Sequence, residues 1–140
     1  MGVRRNAREM ALQLLYQGEF HPEGDLAPFW PKVHPDARAF AERLTEGVRR
    51  HRARIDGLIR MHAKNWSPDR MTLVDRSILR LSIFEILYLE ETPRTVAINE
   101  AVEIAKKYGA EDSGAFVNGI LDQIHPALPE DAQTAAREGA

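Results

Sequence analysis

Apolar side chains recur along most of the chain at intervals of three and four residues, the spacing of one face of an α-helix. A first helix is predicted over residues 3–20, and a second from about Pro35 to Ala63, with Gly47 as a place where it can bend. The apolar face of the first consists of Ala7, Met10, Ala11, Leu14 and Leu15. No stretch alternates with the period of two that a half-buried strand requires, so the pattern predicts an all-α protein.

The third predicted helix is apolar on nearly every side. Ser67-Pro68-Asp69 is a typical helix start, and apolar positions continue from there to Leu89. A helix of this kind is typical of the centre of a bundle, so we expect it to be the most buried. Two shorter helices are predicted after it, at residues 96–108 with Gly109 as a left-handed cap, and from 112 or 113 to 124.

The remaining segments are predicted to be irregular. Residues 21–34 contain three prolines and a glycine and are expected to form a loop, which Phe29 and Trp30 pin to the body. The end of the chain is rich in alanine, glutamate, proline and glycine, a composition that favours fraying. We therefore predict a single domain over residues 1–124 and a frayed or disordered tail over residues 125–140.

Composition narrows the class of protein. With 140 residues, 44% of them hydrophobic and 29% charged, the chain is long enough for one core and resembles a soluble globular domain. It has no cysteine, which excludes disulfides and thiolate metal sites. It also has no apolar run of the ~18 residues that a membrane span needs and no signal-peptide core, so we expect a cytoplasmic protein with no membrane contact.

The distribution of charge is more informative than its sum. The formal net charge is −2, but residues 125–140 hold three acids and one arginine, which leaves 18 basic and 18 acidic side chains in the body. Within that body, positive charge is concentrated at Arg4, Arg5 and Arg8, and again between Arg49 and Lys64. Such clusters are compatible with nucleic-acid binding, although charge alone favours a solvated surface.

Motifs for catalysis are lacking. No two of the five histidines have the spacing of a metal site, and the glycines form no phosphate-binding loop. Glu100 and Glu103 can share a helix face, but such a pair is far more often solvated than catalytic. Ser113 is explained as a helix cap. We therefore expect a protein that is not an enzyme and that carries no cofactor or metal.

Three stretches resemble the NusB family of bacterial transcription antitermination factors. The first is Arg4–Glu9 followed by Ala11, Leu15 and Tyr16, and the second is Val74–Leu81 followed by Phe84 and Glu85. The most specific runs from Thr95 to Ala101 and continues through Ala105, Lys106, Gly109, Asp112, Ser113 and residues 116–122. The resemblance covers about residues 3–124, and the second helix matches mainly by its pattern.

This resemblance implies a compact bundle of about seven helices in two small subdomains. It implies binding of boxA, a short single-stranded RNA element of ribosomal RNA leaders. It also implies a protein partner, the small-subunit ribosomal protein that acts as NusE, and assembly with RNA polymerase and other Nus factors into an antitermination complex. Some members of the family are dimers, and the residues leave monomer and homodimer both open.

The resemblance also implies which residues act. It assigns RNA binding to Arg4, Arg5, Arg8, Phe116 and Asn118, and partner binding to Tyr16, Asp75, Arg76 and Asp112. Single-stranded RNA is bound by stacking bases on aromatic rings and by pairing phosphates with arginine, so these residue types suit the role. Because Asn6 interrupts the arginines and no lysine precedes Arg4, we expect weak RNA binding without the partner.

Two alternatives remain open. A related helical domain precedes the catalytic domain of some ribosomal RNA cytosine methyltransferases, and this chain, as a fragment of one, would show the same pattern. The other alternative is an interaction bundle that binds no RNA, in which the arginines are solvated and the protein acts only by binding its partner.

Overall fold

The described part of the chain folds into α-helices. The structure, a computed structural model, describes residues 2–21 and 35–129. Its helices are α1 (Gly2–Phe20), α2 (Pro35–His62), α3 (Leu73–Tyr88), α4 (Arg94–Tyr108) and α5 (Ser113–Ile124), with 3₁₀ turns at Pro68–Arg70 and His125–Ala127. The described residues contain no strand, in agreement with the period of the apolar positions. Most of the predicted loop, including Phe29 and Trp30, and residues 130–140 lie outside them.

The number of helices follows the apolar pattern and not the family expectation. That pattern predicts five helices, and five α-helices are present in the described part of the chain, whereas a count of about seven is not matched. A non-helical residue explains part of the difference, because α2 is two helical segments joined at a kink at His51 (φ −105°, ψ 15°). Counted as segments, α2 contributes two.

The bend in α2 lies at His51, one turn beyond Gly47. The sequence predicts Gly47 as the place of the bend, so the prediction is one turn too early. Gly47 stays helical, and its missing side chain has a different purpose, because a Cβ there would overlap the ring of Phe84 on α3. The glycine allows α2 and α3 to approach closely, and the kink follows at the next turn.

Helix α3 is the central helix, as predicted. Every residue from 77 to 87 is buried, and α3 packs against α1, α2, α4 and α5. Its start differs from the prediction, because Ser67-Pro68-Asp69 leads only into the 3₁₀ turn. The α-helix begins at Leu73, where the hydroxyl of Thr72 caps it by accepting a hydrogen bond from the Asp75 amide at 3.1 Å.

The junction of α4 and α5 also differs in one detail. Gly109 ends α4 but has φ −89°, so it is not the left-handed cap that the sequence suggests. A Cβ at this position would collide with the Ser113 side chain, whose Oγ accepts a hydrogen bond from the Ala110 amide at 2.8 Å. Glycine is thus required for close approach of the turn to α5, and not for a left-handed backbone.

Packing continues beyond the end of the predicted domain. Residues 125–129, which we assigned to the tail, include a 3₁₀ turn, and Leu128 is 3% exposed. Arg94 at the start of α4 donates a hydrogen bond to the carbonyl of His125 at 2.7 Å. The packed region therefore reaches Pro129. Buried side chains from all five helices join one hydrophobic cluster, which holds the helix ends in fixed relation.

Candidate nucleic-acid and partner interfaces

The first turns of α1 carry three arginines in two different environments. Arg4 and Arg5 are exposed, whereas Arg8 is 4% exposed and faces α3. Residues four apart share a helix face, and the guanidinium groups of Arg4 and Arg8 accordingly both lie near the ring of Phe40 on α2, at 4.5 and 5.7 Å from its centre. Arg5 points towards α4 instead.

Arg8 forms a buried ion pair with Glu85 of α3. Its Nε and Nη2 donate to the two carboxylate oxygens of Glu85 at 2.9 Å each, and its Nη1 donates to Glu100 of α4 at 3.3 Å. All three guanidinium nitrogens therefore serve carboxylates, in the bidentate geometry that makes such pairs strong. The structure places Arg8 as a tie between helices, away from the surface where we expected it to meet RNA.

The two carboxylates in this network have different surroundings. Burial raises the pKa of Glu85 above its ordinary value, against the opposing effect of Arg8. Both oxygens of Glu85 nevertheless accept hydrogen bonds from the Arg8 guanidinium, which is the arrangement of an ionised carboxylate. Hydrogen bonding to Arg5 holds the pKa of Glu100 below its ordinary value. The pairing distance of Arg5 and Glu100 is 2.6 Å, and the Arg5 side chain stays 49% exposed.

The exposed arginines border a groove. It has a volume of about 520 Å³ and lies between the first turns of α1 and the segment 91–100. Arg4 and Arg5 form one side, and Pro93 and Val96 form the other. An exposed guanidinium above an aromatic ring, as Arg4 has with Phe40, is held in place while its outer edge remains available to an anion.

Phe116 and Asn118 lie on either side of the exposed face of α5. At 100° per residue they are separated by about 200° around the helix, and the exposed arc between them contains Ala115, Gly119 and Asp122. A Cβ on Gly119 would touch nothing within 4 Å, so this face is open. Phe116 is half-buried at one border and Asn118 is exposed at the other.

Trp66, which the sequence analysis did not select, contacts Phe116. The ring centres are 4.8 Å apart with an edge-to-face angle of 77°, and the indole is 38% exposed. Arg70 lies 5.8 Å from the indole centre. The sequence signal that was available is a tryptophan flanked by polar residues in a short connection, Asn65-Trp66-Ser67, where a large apolar side chain is unusual.

Asp112 lies immediately before α5, in the connection from α4. It is exposed, and its side chain makes no capping hydrogen bond, while its carbonyl accepts the Phe116 amide at 3.0 Å. The carboxylate is therefore available to a partner, at the end of the helix that carries Phe116 and Asn118.

The opposite end of α1 is aromatic. Tyr16 is 38% exposed and packs edge-on against Phe20, whose ring is 58% exposed, with centres 5.4 Å apart. Phe20 was not predicted as a site residue, although its position four residues after Tyr16 places both on one face. Two neighbouring exposed aromatic rings are a common anchor for protein partners.

Arg76 is joined to this end of α1 through Glu19. Its Nη2 donates to Glu19 at 2.8 Å, and Arg80 donates to the same carboxylate at 3.0 Å. Burial alone would raise the pKa of Glu19, but the hydrogen bond from Arg76 and the charges of Arg76, Arg52 and Arg80 outweigh it and hold the pKa below its ordinary value. Arg80 continues inward to Asp56, at 2.8 Å. Glu19, the residue that positions Arg76, is not among the site residues predicted from the sequence.

Asp75 is placed less openly than we expected of an acid on a partner surface. Asp75 is only 8% exposed, and one of its carboxylate oxygens is buried with no hydrogen-bond partner among the described residues. The neighbouring Arg76 is half-buried and directed to Glu19. Of the four predicted partner residues, the structure thus brings Tyr16 and Arg76 to the same end of α1.

Helix α4 lies between the arginine end of α1 and the start of α5. Lys107 contacts Glu9 of α1 at 3.0 Å, and Lys106 packs over Gly114 of α5. One surface therefore runs from Arg5 across these lysines to the helix that carries Asn118. In the part of the chain that the structure describes, no group of three or more His, Asp or Glu side chains is arranged to hold a metal ion. Nor does any helix there combine the length and apolarity that crossing a membrane requires.

Comparison with known proteins supports the sequence resemblance. The model of the NusB family matches residues 5–126. A curated relative from Myxococcus xanthus, named Transcription antitermination protein NusB, is 50% identical over 137 residues, which cover 91% of this chain and 98% of the relative. A relative of the same name from Geobacter sulfurreducens is 48% identical, with 93% and 99% covered.

Solved structures show the same fold. NusB of T. maritima superposes with a TM-score of 0.83 at 37% identity, over 94% of this chain and 96% of that one. A crystal structure of the antitermination factors NusB and NusE in complex with dsRNA contains a chain with a TM-score of 0.80 at 30% identity, over 91% of this chain and 99% of that one.

Proposed function

The chain belongs to the NusB family, and from this premise we propose that it binds boxA-type single-stranded RNA of ribosomal RNA leaders together with the ribosomal protein that acts as NusE. In this role it promotes processive transcription of ribosomal RNA operons, as part of a complex of RNA polymerase and other Nus factors. The names of its relatives describe regulators of transcription and not catalysts.

The observation that carries the RNA proposal is the difference in exposure among the arginines of α1. Arg4 and Arg5 are exposed beside a groove, and a buried ion pair of Arg8 anchors the turn that carries them. The open face of α5 provides Phe116 for stacking and Asn118 for reading base edges, which are the contacts that unpaired RNA favours. The related NusB and NusE structure contains dsRNA, which supports RNA as the ligand, while the single-stranded form is proposed from the residue types alone.

The partner proposal rests on the other end of α1. Tyr16 supplies an exposed aromatic anchor, Phe20 extends it, and Arg76 lies behind them against Glu19. Two exposed arginines give only weak, largely non-specific RNA affinity at physiological salt. A ribosomal protein bound at this end would add the second basic surface that a specific complex needs.

The test is the binding of labelled boxA-type RNA, with and without the partner protein, as a function of salt. Replacing Arg4 and Arg5 together by alanine should weaken binding and lower the magnitude of the salt slope by up to ~1.4, at about 0.7 per phosphate contact with a single strand. Arg60→Ala is the matched control, because Arg60 is exposed on α2. Arg8 stays unchanged, because its loss would disturb the fold.

Three outcomes are informative. A reduced slope with an unchanged melting temperature supports phosphate contacts at the arginine end. An unchanged slope returns Arg4 and Arg5 to the class of solvated arginines. If the wild-type protein binds the partner, but the complex binds RNA no more tightly than the partner alone does, the interaction bundle without RNA is the better description.

A further inference from the structure

A separate pocket opens where the kink of α2 crosses α3. Its volume is about 350 Å³, which is within the roughly 300–1,000 Å³ of small-ligand sites. Three rings form its floor and wall, His51 of α2 and Phe84 and Tyr88 of α3. It involves none of the residues assigned to boxA RNA or to the partner.

The three rings are stacked. The centres of His51 and Tyr88 are 4.1 Å apart at an angle of 17°, and those of Phe84 and Tyr88 are 5.4 Å apart at 27°. The kink in α2 occurs at His51 itself, and the missing side chain of Gly47 admits the Phe84 ring. Backbone features of α2 and side chains of α3 thus combine to present a parallel set of rings at a pocket.

Arginine side chains lie near the stack. Arg50 lines the pocket, and the charge of Arg54 acts on both His51 and Tyr88. Arg43 also lines it but is paired with Glu91 at 2.8 Å. Glu46 offsets one further charge. An anion is therefore expected on the side of Arg50 and Arg54.

Two buried polar atoms at this place have no partner among the described residues. They are the hydroxyl oxygen of Tyr88, a residue that lines the pocket, and the Nε of Arg54, which does not line it but is close enough for its charge to act on both rings. Buried polar groups are nearly always hydrogen-bonded, so the unsatisfied hydroxyl of Tyr88, on a residue that lines the pocket, points to a ligand that completes it. Burial and the charges of Arg50 and Arg54 lower the pKa of His51, so its ring is neutral at pH 7 and can both stack and hydrogen-bond.

We propose that this pocket binds a phosphorylated nucleotide, with its base stacked on the His51–Tyr88 ring pair and its phosphate held by Arg50, while the nearby charge of Arg54 adds to the attraction. Flat rings beside arginine are the combination by which proteins hold unpaired nucleotides, because every base has a π-face and every phosphate a charge. The nucleotide is either free or one residue of an RNA strand outside the boxA contact. The inference does not depend on the proposed function.

The test is calorimetric or NMR titration of the full chain with AMP, adenosine, inorganic phosphate and a six-residue polyadenylate. AMP should bind at least tenfold more tightly than adenosine or phosphate, because only AMP engages both the rings and the arginines. Arg50→Glu and Tyr88→Leu should each weaken AMP binding at least fivefold. Arg60→Glu, an exposed arginine of the same helix outside the pocket, should not.

Polyadenylate binding that is tighter than AMP binding, and equally sensitive to Arg50→Glu, assigns the site to an RNA strand. Equal affinities assign it to a free nucleotide. Failure of AMP and polyadenylate to bind overturns the proposal, as does phosphate binding as strong as that of AMP. Arg50 is exposed, so its variant remains decisive even if Tyr88→Leu lowers the melting temperature. Loss of boxA binding by Arg4 and Arg5 variants bears on the proposed function alone.

Discussion

The two ends of α1 both contain an ion-pair network, but the central group of the network is an arginine at one end and a glutamate at the other. At the first end, Arg8 is buried between carboxylates and Arg4 and Arg5 face outward. At the second end, the carboxylate of Glu19 is held among arginines of α2 and α3, and the aromatic rings face outward. The helix has 19 residues, so the ends are about 27 Å apart at 1.5 Å per residue. A rigid rod thus separates a cationic surface from an aromatic one.

This comparison shows that a charged residue near a binding surface can serve the fold instead of the ligand. Arg4, Arg5 and Arg8 are equivalent by sequence, but only the first two are exposed to solvent, and of these Arg5 is also paired with Glu100. The same division occurs at the other end, where Arg80 is buried with Asp56 and Arg52 is 47% exposed. Mutations at the two ends should therefore affect different functions, and mutations of the buried members should affect the fold.

The largest effect is expected for Arg8. Arg8→Ala leaves the buried carboxylate of Glu85 without its partner, and such a loss typically costs about 3–5 kcal/mol of folding free energy. Arg4→Ala, one turn earlier and exposed, removes only a cation–π contact with Phe40 and should cost about 0.5–1 kcal/mol. Urea denaturation of both variants measures the difference. Equal stabilities would mean that Arg8 is not the anchor that its geometry indicates.

The next effect concerns the aromatic end. Tyr16→Asp combined with Phe20→Asp removes two exposed rings, so partner affinity should fall by about 2 kcal/mol or more, roughly 30-fold, while stability changes little. Met61→Asp is the control, because Met61 is an exposed apolar residue of α2. Calorimetry with the ribosomal partner is the measurement. Normal binding by the double variant would place the interface elsewhere. Asp75 is avoided, because its burial makes any substitution a test of folding.

How far the sequence predicts this molecule differs between helices and side chains. Helix positions follow from local periodicity, which is why five helices are predicted and five are found in the described residues. The start of α3 at Leu73 is less predictable, because Ser67-Pro68 and Thr72 are both acceptable caps and tertiary packing selects between them. The kink at His51 coincides with ring contacts to Phe84 and Tyr88, which are more than 30 residues away in sequence and which no local pattern predicts.

The candidate site is predicted in identity but not in exposure. The resemblance selects the arginines of α1, and nothing within Arg4–Arg8 reveals that Glu85, 77 residues away, holds one of them. Trp66 and Phe20 are not predicted for a related reason. What connects them to the candidate sites is the ring that each contacts in the fold, Phe116 for Trp66 and Tyr16 for Phe20. Long-range pairing of this kind is set by the fold, and local patterns do not encode it.

A smaller effect is expected on the face of α5. Phe116→Ala should weaken RNA binding by about 1–3 kcal/mol if the ring stacks on a base. Trp66→Ala distinguishes stacking from packing, since it removes the neighbour that supports the Phe116 ring but leaves the ring in place. RNA binding by both variants, each with a melting curve, is the measurement. If Trp66→Ala reduces RNA affinity as much as Phe116→Ala, the pair acts together, and if neither does, α5 is not a stacking surface.

The smallest effect uses the opposite pKa shifts of the acids that anchor the two ends of α1. The pKa of Glu19 is lowered in the folded state, so its carboxylate binds a proton more tightly in the unfolded chain than in the folded protein. Glu19 therefore contributes stability that is present above its unfolded pKa, about 4.5, and lost as pH falls through its folded pKa. The pKa of Glu85 is raised by burial, so its contribution is fully present below about 4.5 and lost as pH rises through its folded pKa. Glu19→Gln should reduce the loss of stability on acidification, and Glu85→Gln should increase it.

In both variants the pH-dependent part of the free energy of unfolding is expected to change little. For Glu19, which is partly exposed, the change should be about 1 kcal/mol or less. The measurement is urea denaturation from pH 3 to pH 7, with Glu42→Gln as the control, because Glu42 lies in an exposed pair with Arg38. Each variant also loses hydrogen bonds at every pH, so the slope against pH and not the absolute stability is compared. If Glu19→Gln and Glu85→Gln change the slope of stability against pH in the same direction, the two acids have pKa shifts of the same sign. The electrostatic difference between the two ends of α1 would then be contradicted.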